Sequence, residues 1–86
     1  MMRELESVVL TTDLVEYGLE QGDIGTVVLV HRGGRGYEVE FVTLDGETVA
    51  IASVLPAQVR PAVRREIAHA RPVIGARLPL PQYGNA

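Results

Sequence analysis

Tyr37-Glu38-Val39-Glu40-Phe41 constrains this chain more than any other stretch, because apolar and acidic residues alternate through it without a break. Successive side chains of an extended strand point to opposite faces, so Tyr37, Val39 and Phe41 share one side while Glu38 and Glu40 share the other. A helix would scatter the same residues around its circumference. The stretch therefore predicts an antiparallel strand with one face in a core and one face in water. The rest of the chain has to supply the other strands.

It does so in short pieces. Ser7-Val8-Val9-Leu10-Thr11 is a β-branched run closed by Thr12-Asp13, and Thr26-Val27-Val28-Leu29-Val30 is a second, more strongly β-prone run. Between them Thr12 to Gly25 is too long for a tight hairpin, and Leu14, Tyr17 and Leu19 are apolar enough to fold its side chains inward. Arg32-Gly33-Gly34-Arg35-Gly36 reads as a flexible hairpin loop. Asp45-Gly46 is a strong hairpin signal, and it leads into a strand over Thr48 to Val54. Leu55-Pro56-Ala57-Gln58 reads as a single helical turn and Val59 as a brief closing strand. On this pattern Val8, Leu10, Val28, Val30, Tyr37, Val39, Phe41, Leu55 and Val59 are expected in the core, with Glu38 and Glu40 exposed.

Five short apolar strands call for a closed or nearly closed sheet, since open edges of this composition aggregate. Strand, long loop, strand, glycine loop, strand, DG turn, strand, single turn and short strand is the order of a small five-stranded SH3-like β-barrel. An all-β barrel over residues 1–61 is the expected fold, with KOW-type or OB-like barrels as the fallback. After Pro61 the character changes. Val63 and Ile67 at i, i+4 predict a short helix over 62–71, ended by Arg71-Pro72. Residues 72–86, which hold several prolines and glycines, are expected to form a flexible tail.

Several of these residues carry a resemblance. Gly18-Leu19, Gly22-Asp23-Ile24-Gly25-Thr26-Val27-Val28, Tyr37 to Phe41, Leu55-Pro56-Ala57 and Arg60-Pro61 together resemble the small bacterial family known as domain of unknown function 4926, over about residues 5–61. Val15 stands where that family often has proline, and Val59 where leucine is usual. The resemblance implies an SH3-like barrel without known enzymatic activity. It also implies a place in gene pairs beside toxin-like partners, and says nothing of residues 62–86.

The chemistry-bearing residues are sparse. There is no cysteine, which excludes disulfides and cysteine–zinc clusters and suits a reducing cytoplasm. Ser7 and Ser53 are the only serines and sit in expected strands rather than at a nucleophile elbow. His31 and His69 are far apart and make no ligand set, and Glu16, Glu20 and Asp23 do not match a calcium loop. No catalytic, cofactor or metal site is expected, so the chain reads as a non-enzyme. No signal peptide is evident in Met1–Ser7, and no apolar run is long enough to span a membrane.

Charge is the remaining guide. The net charge is −3, divided unequally: residues 1–50 hold ten acids against Arg3, Arg32 and Arg35, whereas residues 51–86 hold five arginines against Glu66 alone. Halves of opposite sign can dock on each other or on a charged partner. A protein partner is the leading expectation, met by the face where the long loop, the glycine loop and the single turn converge. Glu16, Tyr17, Glu20, Arg32, Arg35 and Pro56 are its candidate residues, with acids to steer a basic partner and Tyr17 either anchoring it or packing beneath its own loop. Such a module would be the small partner of a neighbouring gene product, antitoxin- or immunity-like. A KOW-like RNA- or other nucleic-acid-binding barrel is the alternative, using Arg32, Arg35 and Arg60 with Tyr37 as a stacking platform. Against it stand the acidic total and the carboxylates of Glu38 and Glu40. An accessory subunit of a larger enzyme, as in nitrile hydratase, is a third possibility. Arg77-Leu78-Pro79-Leu80-Pro81 is similar to proline-rich peptide ligands and could dock on the chain's own barrel.

Overall fold

The alternation at Tyr37–Phe41 becomes an interior strand of a five-stranded antiparallel sheet in the computed structural model, which describes residues 2–73. The strands are β1 (Ser7–Leu10), β2 (Ile24–His31), β3 (Gly36–Val42), β4 (Thr48–Val54) and β5 (Val59–Pro61). Their order across the sheet is β4-β3-β2-β1-β5, and every pairing is antiparallel. The ladder ends at β4 on one side and β5 on the other, so the sheet has two edges rather than the closed circuit of hydrogen bonds expected from the sequence.

Each connection follows from local chemistry. β3 and β4 are joined through Thr43–Glu47, where Gly46 takes φ 92° and its N–H donates to the Thr43 carbonyl at 2.9 Å. The DG signal thus marks the hairpin it was expected to mark. The glycine loop is more ordered than a floppy hairpin tip. Arg32–Gly34 forms a 3₁₀ turn in which Gly33 and Gly34 adopt positive φ, and the Arg35 N–H closes it on the His31 carbonyl at 3.0 Å. The single turn after β4 is a 3₁₀ turn over Pro56–Gln58, and the Gln58 side chain accepts from the Leu55 N–H at 2.8 Å.

The core gathers Val8, Leu10, Val27, Tyr37, Val39, Phe41, Ala52, Val54 and Val59, with Met2 beside them. Leu14 and Leu19 of the first loop join the same cluster, which agrees with a loop that folds its side chains inward. Two members of the expected core lie outside it. Val28 is 37% exposed because β2 bulges there: Val27 opposes Val39, but the next pair is Leu29 with Glu38, leaving Val28 as the extra residue. The bulge reverses the inside–outside phase, so Val27 is buried and Val30 half-buried. Leu55 is 62% exposed, since it sits at the corner where β4 gives way to the turn. Glu38 and Glu40 point away from the core as expected, yet both are half-buried because neighbouring side chains bond to them.

Nor does the segment after Pro61 form the expected helix. Ala62 extends β5 by donating to the Ser7 carbonyl at 3.0 Å, a turn follows at Arg64-Arg65, and no helix or strand is present through Val73. Val63 and Ile67, the apolar pair from which that helix was read, are 60% and 92% exposed. Ten residues are too few to stabilise a helix in water without an apolar face packed on something. Glu66 takes over instead: its carboxylate accepts from the Val63 N–H at 2.8 Å and pairs with both terminal nitrogens of Arg60, fixing a bend. The proline-containing tail from residue 74 onward, with its Arg77–Pro81 motif, lies outside the described residues.

Candidate functional site

Two polar constellations stand out on the framework of this sheet. The first lies on the outer face of β2, β3 and β4, where register places Ser53 directly opposite Glu38. The Ser53 hydroxyl donates to the Glu38 carboxylate, with distances of 2.8 and 2.6 Å to its two oxygens, and His31 Nε2 approaches the same carboxylate at 2.6 Å. Hydrogen bonds from Ser53 first, and from His31 next, hold the Glu38 carboxyl below its ordinary range. The residue types are those of a hydrolase triad, but the order is not. A nucleophilic serine needs histidine as its immediate base, with the acid behind it. Here the carboxylate sits in the middle, so the serine hydroxyl is bound to an acceptor that orients it and does not activate it.

His31 and Ser53 also border a shallow cleft of about 250 Å³, completed by Arg35, Gly36, Val54 and Leu55. The close pairing of β3 and β4 explains its floor. A Cβ on Gly36 would stand 3.2 Å from the Val54 carbonyl, so glycine leaves the depression open. Arg35 from the glycine loop and Leu55 from the turn after β4 form opposite kinds of rim, one cationic and one apolar.

The second constellation is on the long first loop. Asp23 Oδ1 accepts from Arg71 Nε at 2.8 Å and Asp23 Oδ2 from Arg71 Nη2 at 2.5 Å, the side-on fork that arginine makes with carboxylates. Arg71 Nη2 also donates to the Gly18 carbonyl at 3.2 Å, and Glu20 lies 3.7 Å from Nη1. Burial alone would raise the Asp23 carboxyl, but the Arg71 hydrogen bonds, the Glu20 N–H and the guanidinium charge together outweigh it and hold the group below its usual value. A carboxyl lowered in the folded state adds stability above its unfolded value near 3.8 and loses it as pH falls through the lowered one. Arg71→Ala should therefore move the Asp23 side-chain titration, read by NMR, to higher pH. An unchanged titration would mean that Arg71 does not hold the carboxylate in solution.

The residues expected to form one binding face are distributed between these two places. Arg35 lines the cleft, and Pro56 follows Leu55 at its rim. Arg32 opens the glycine loop beside them, exposed. Glu16 and Glu20 are exposed on the first loop, while Tyr17 is half-buried against the core, packed beneath its own loop. The loop's base meets the turn, since the Thr11 hydroxyl donates to the Ala57 carbonyl at 2.8 Å and the Thr11 N–H to the Gln58 carbonyl at 2.8 Å. The base of that loop and the glycine loop stand at opposite ends of β2, about 23 Å of extended chain apart. Among the described residues no hydrogen bond or ion pair joins Glu16, Tyr17 or Glu20 to Arg32, Arg35 or Pro56. Sequence reasoning singled out neither the pairing of Asp23 with Arg71 nor Leu55 as a surface feature. The opposite charges of the two halves were the one signal that pointed to the first pair.

Among the described residues no three His, Asp or Glu side chains are grouped to hold a metal ion, and no helix is long and apolar enough to cross a membrane. No curated protein and no solved structure matches the chain. A family model does match, described as Domain of unknown function (DUF4926), over residues 4–61. That span begins just ahead of β1 and ends with β5, taking in the first loop, the glycine loop and the cleft but not the segment that carries Arg71. By that match, which covers most of its length, the chain belongs to the DUF4926 family.

Proposed function

We propose that this chain is a non-catalytic protein-interaction module of the bacterial cytoplasm, built on an SH3-like plan. The strand order, with a long loop between β1 and β2, a five-residue hairpin between β3 and β4 and a 3₁₀ turn before β5, supports the plan. The observation that carries the interaction reading is the cleft between the glycine loop and the turn after β4, which exposed Leu55 and Arg35 line together with Gly36 and Val54. An apolar side chain that the core leaves out, next to an arginine and a shallow depression, suits contact with another protein's side chain better than enclosure of a small molecule. The adjoining Glu38 carboxylate, held ionised by Ser53 and His31, disfavours phosphate on that face.

The test uses the protein immobilised beside its Leu55→Asp variant. A specific protein captured from host extract, identified, purified and titrated, should bind Leu55→Asp at least about tenfold more weakly, equivalent to about 1.4 kcal/mol. Equal affinity for both forms would remove the cleft from the interface.

A further inference from the structure

The segment from Ala62 to Val73 is held to the domain in an unusual way. Residues 62–70 are all exposed, so it contributes no apolar side chain to the core. Past the Ala62 N–H bond to the Ser7 carbonyl, its two attachments are polar side-chain pairs: Glu66 on Arg60, both well exposed, and Arg71 on the first loop. Of these only the second is sheltered, with the Arg71 side chain 26% and the Asp23 side chain 17% exposed. A segment that is sheltered only at Arg71 and Val73, and adds no side chain to the core, has the character of a bound peptide rather than of a structural element.

The receiving side is assembled without it. The Asp23 carboxylate is oriented by the Glu20 N–H, which donates to Oδ2 at 2.8 Å, and the Asp23 N–H returns a bond to the Glu20 carbonyl at 2.9 Å. Gly18, whose carbonyl takes Arg71 Nη2, sits at φ 71° and donates its N–H to the Val15 carbonyl. Leu14 and Leu19, paired across the loop, anchor both positions in the core. Asp13, which also acts on the guanidinium through its charge, accepts from the Gln21 N–H at 2.8 Å. Carboxylate and carbonyl are thus positioned by bonds internal to the loop, and the match to a planar guanidinium is built in.

We infer that the first loop is a receptor for an arginine in an extended segment of a partner protein, and that Ala70-Arg71-Pro72 occupies it in cis as a competing pseudo-ligand. The acidic half of the chain selects a basic partner, and the fork selects arginine over lysine. Pro72, whose own carbonyl accepts from Arg71 Nη1 at 3.2 Å, disfavours a helical backbone at the arginine before it. The nine residues 62–70 that link β5 to Arg71 hold the cis arginine at an effective concentration in the millimolar range, so a partner must compete with it and an unmatched basic segment is turned away. This inference rests on the interaction reading above and adds to it the partner's chemistry and a means of regulation.

The test takes the full chain, isotopically labelled, as wild type and as Arg71→Ala, and titrates each with a blocked peptide of the sequence from Glu66 to Val73. Arg71→Ala should bind the peptide about tenfold or more tightly than wild type, with saturable amide shifts at Gly18, Glu20 and Asp23. A peptide with alanine at the arginine, or Asp23→Asn added to the Arg71→Ala chain, should abolish those shifts. Equal binding by wild type and Arg71→Ala, or binding indifferent to Asp23, overturns the inference. So does an Arg71→Ala chain that no longer unfolds cooperatively, because the segment is then a structural strap. A protein partner that loses affinity with Leu55→Asp but not with Asp23→Asn overturns this inference alone and leaves the interaction reading standing.

Discussion

Val39→Asp is expected to abolish cooperative folding. Val39 has no solvent exposure and lies at the middle of β3, opposite Val27 on β2 and Ala52 on β4. No basic side chain belongs to the buried cluster around it. An unpaired carboxylate there costs several kcal/mol or forces its own protonation. A domain this small has total stability of only about 5 kcal/mol, so the substitution removes most or all of it. Far-UV circular dichroism against temperature and urea gives the readout. A Val39→Asp chain with a cooperative melt near that of wild type would mean that β3 is paired in a different register. Val28→Asp is the matched control, because the bulge turns Val28 outward, and its melting temperature should stay within a few degrees of wild type.

Gly25→Ala is expected to have the next largest effect, and for a steric rather than an electrostatic reason. A Cβ at position 25 would stand 2.5 Å from Val39 Cγ1, 2.9 Å from the Glu40 carbonyl oxygen and 2.9 Å from Phe41 Cε1. None of the three can step aside cheaply. The carbonyl belongs to the β3 backbone, and both side chains are packed in the core. Overpacking of this kind costs about 1–3 kcal/mol, and the upper part of that range fits a clash with backbone. For a domain of this size, 1 kcal/mol corresponds to about 4–8 °C, so a fall of about 10 °C or more in the melting temperature is expected. A change under about 3 °C would contradict the close approach of β2 to β3 at this point.

These two positions also show what the sequence could and could not tell. β3 was legible because its alternating acids fix which residues face water, and period-two patterning leaves one solution. β2 was legible as a strand but not in phase. Thr26 to Val30 contains no charged residue to mark the outer face, so the bulge at Val28 left no trace in composition. Gly25 read as loop punctuation, since a glycine required by the approach of a neighbouring strand looks the same as one required by a turn. Leu55 was placed in the core on hydrophobicity alone, a rule that holds for most apolar residues but not at corners. The helix over 62–71 rested on two apolar residues at i, i+4 with nothing in reach to cover them. Of the candidate site, the two loops and the turn were correctly located as loops and a turn. What the sequence could not show was the cleft, which depends on the close approach of Gly36 to the Val54 carbonyl, and the arginine fork, which joins positions 48 residues apart.

Recognition of protein by this surface is tested most directly by titrating the purified chain against short single-stranded RNA and DNA at 50 and at 200 mM salt, following fluorescence anisotropy. A protein-recognising surface should show no saturable binding tighter than about 10⁻⁴ M at either salt, because the acids of residues 1–50 leave Arg32 and Arg35 without a continuous basic track. Micromolar binding that weakens steeply between the two salts and is lost in Arg32→Ala and Arg35→Ala would contradict it, and would make the chain a nucleic-acid-binding protein instead.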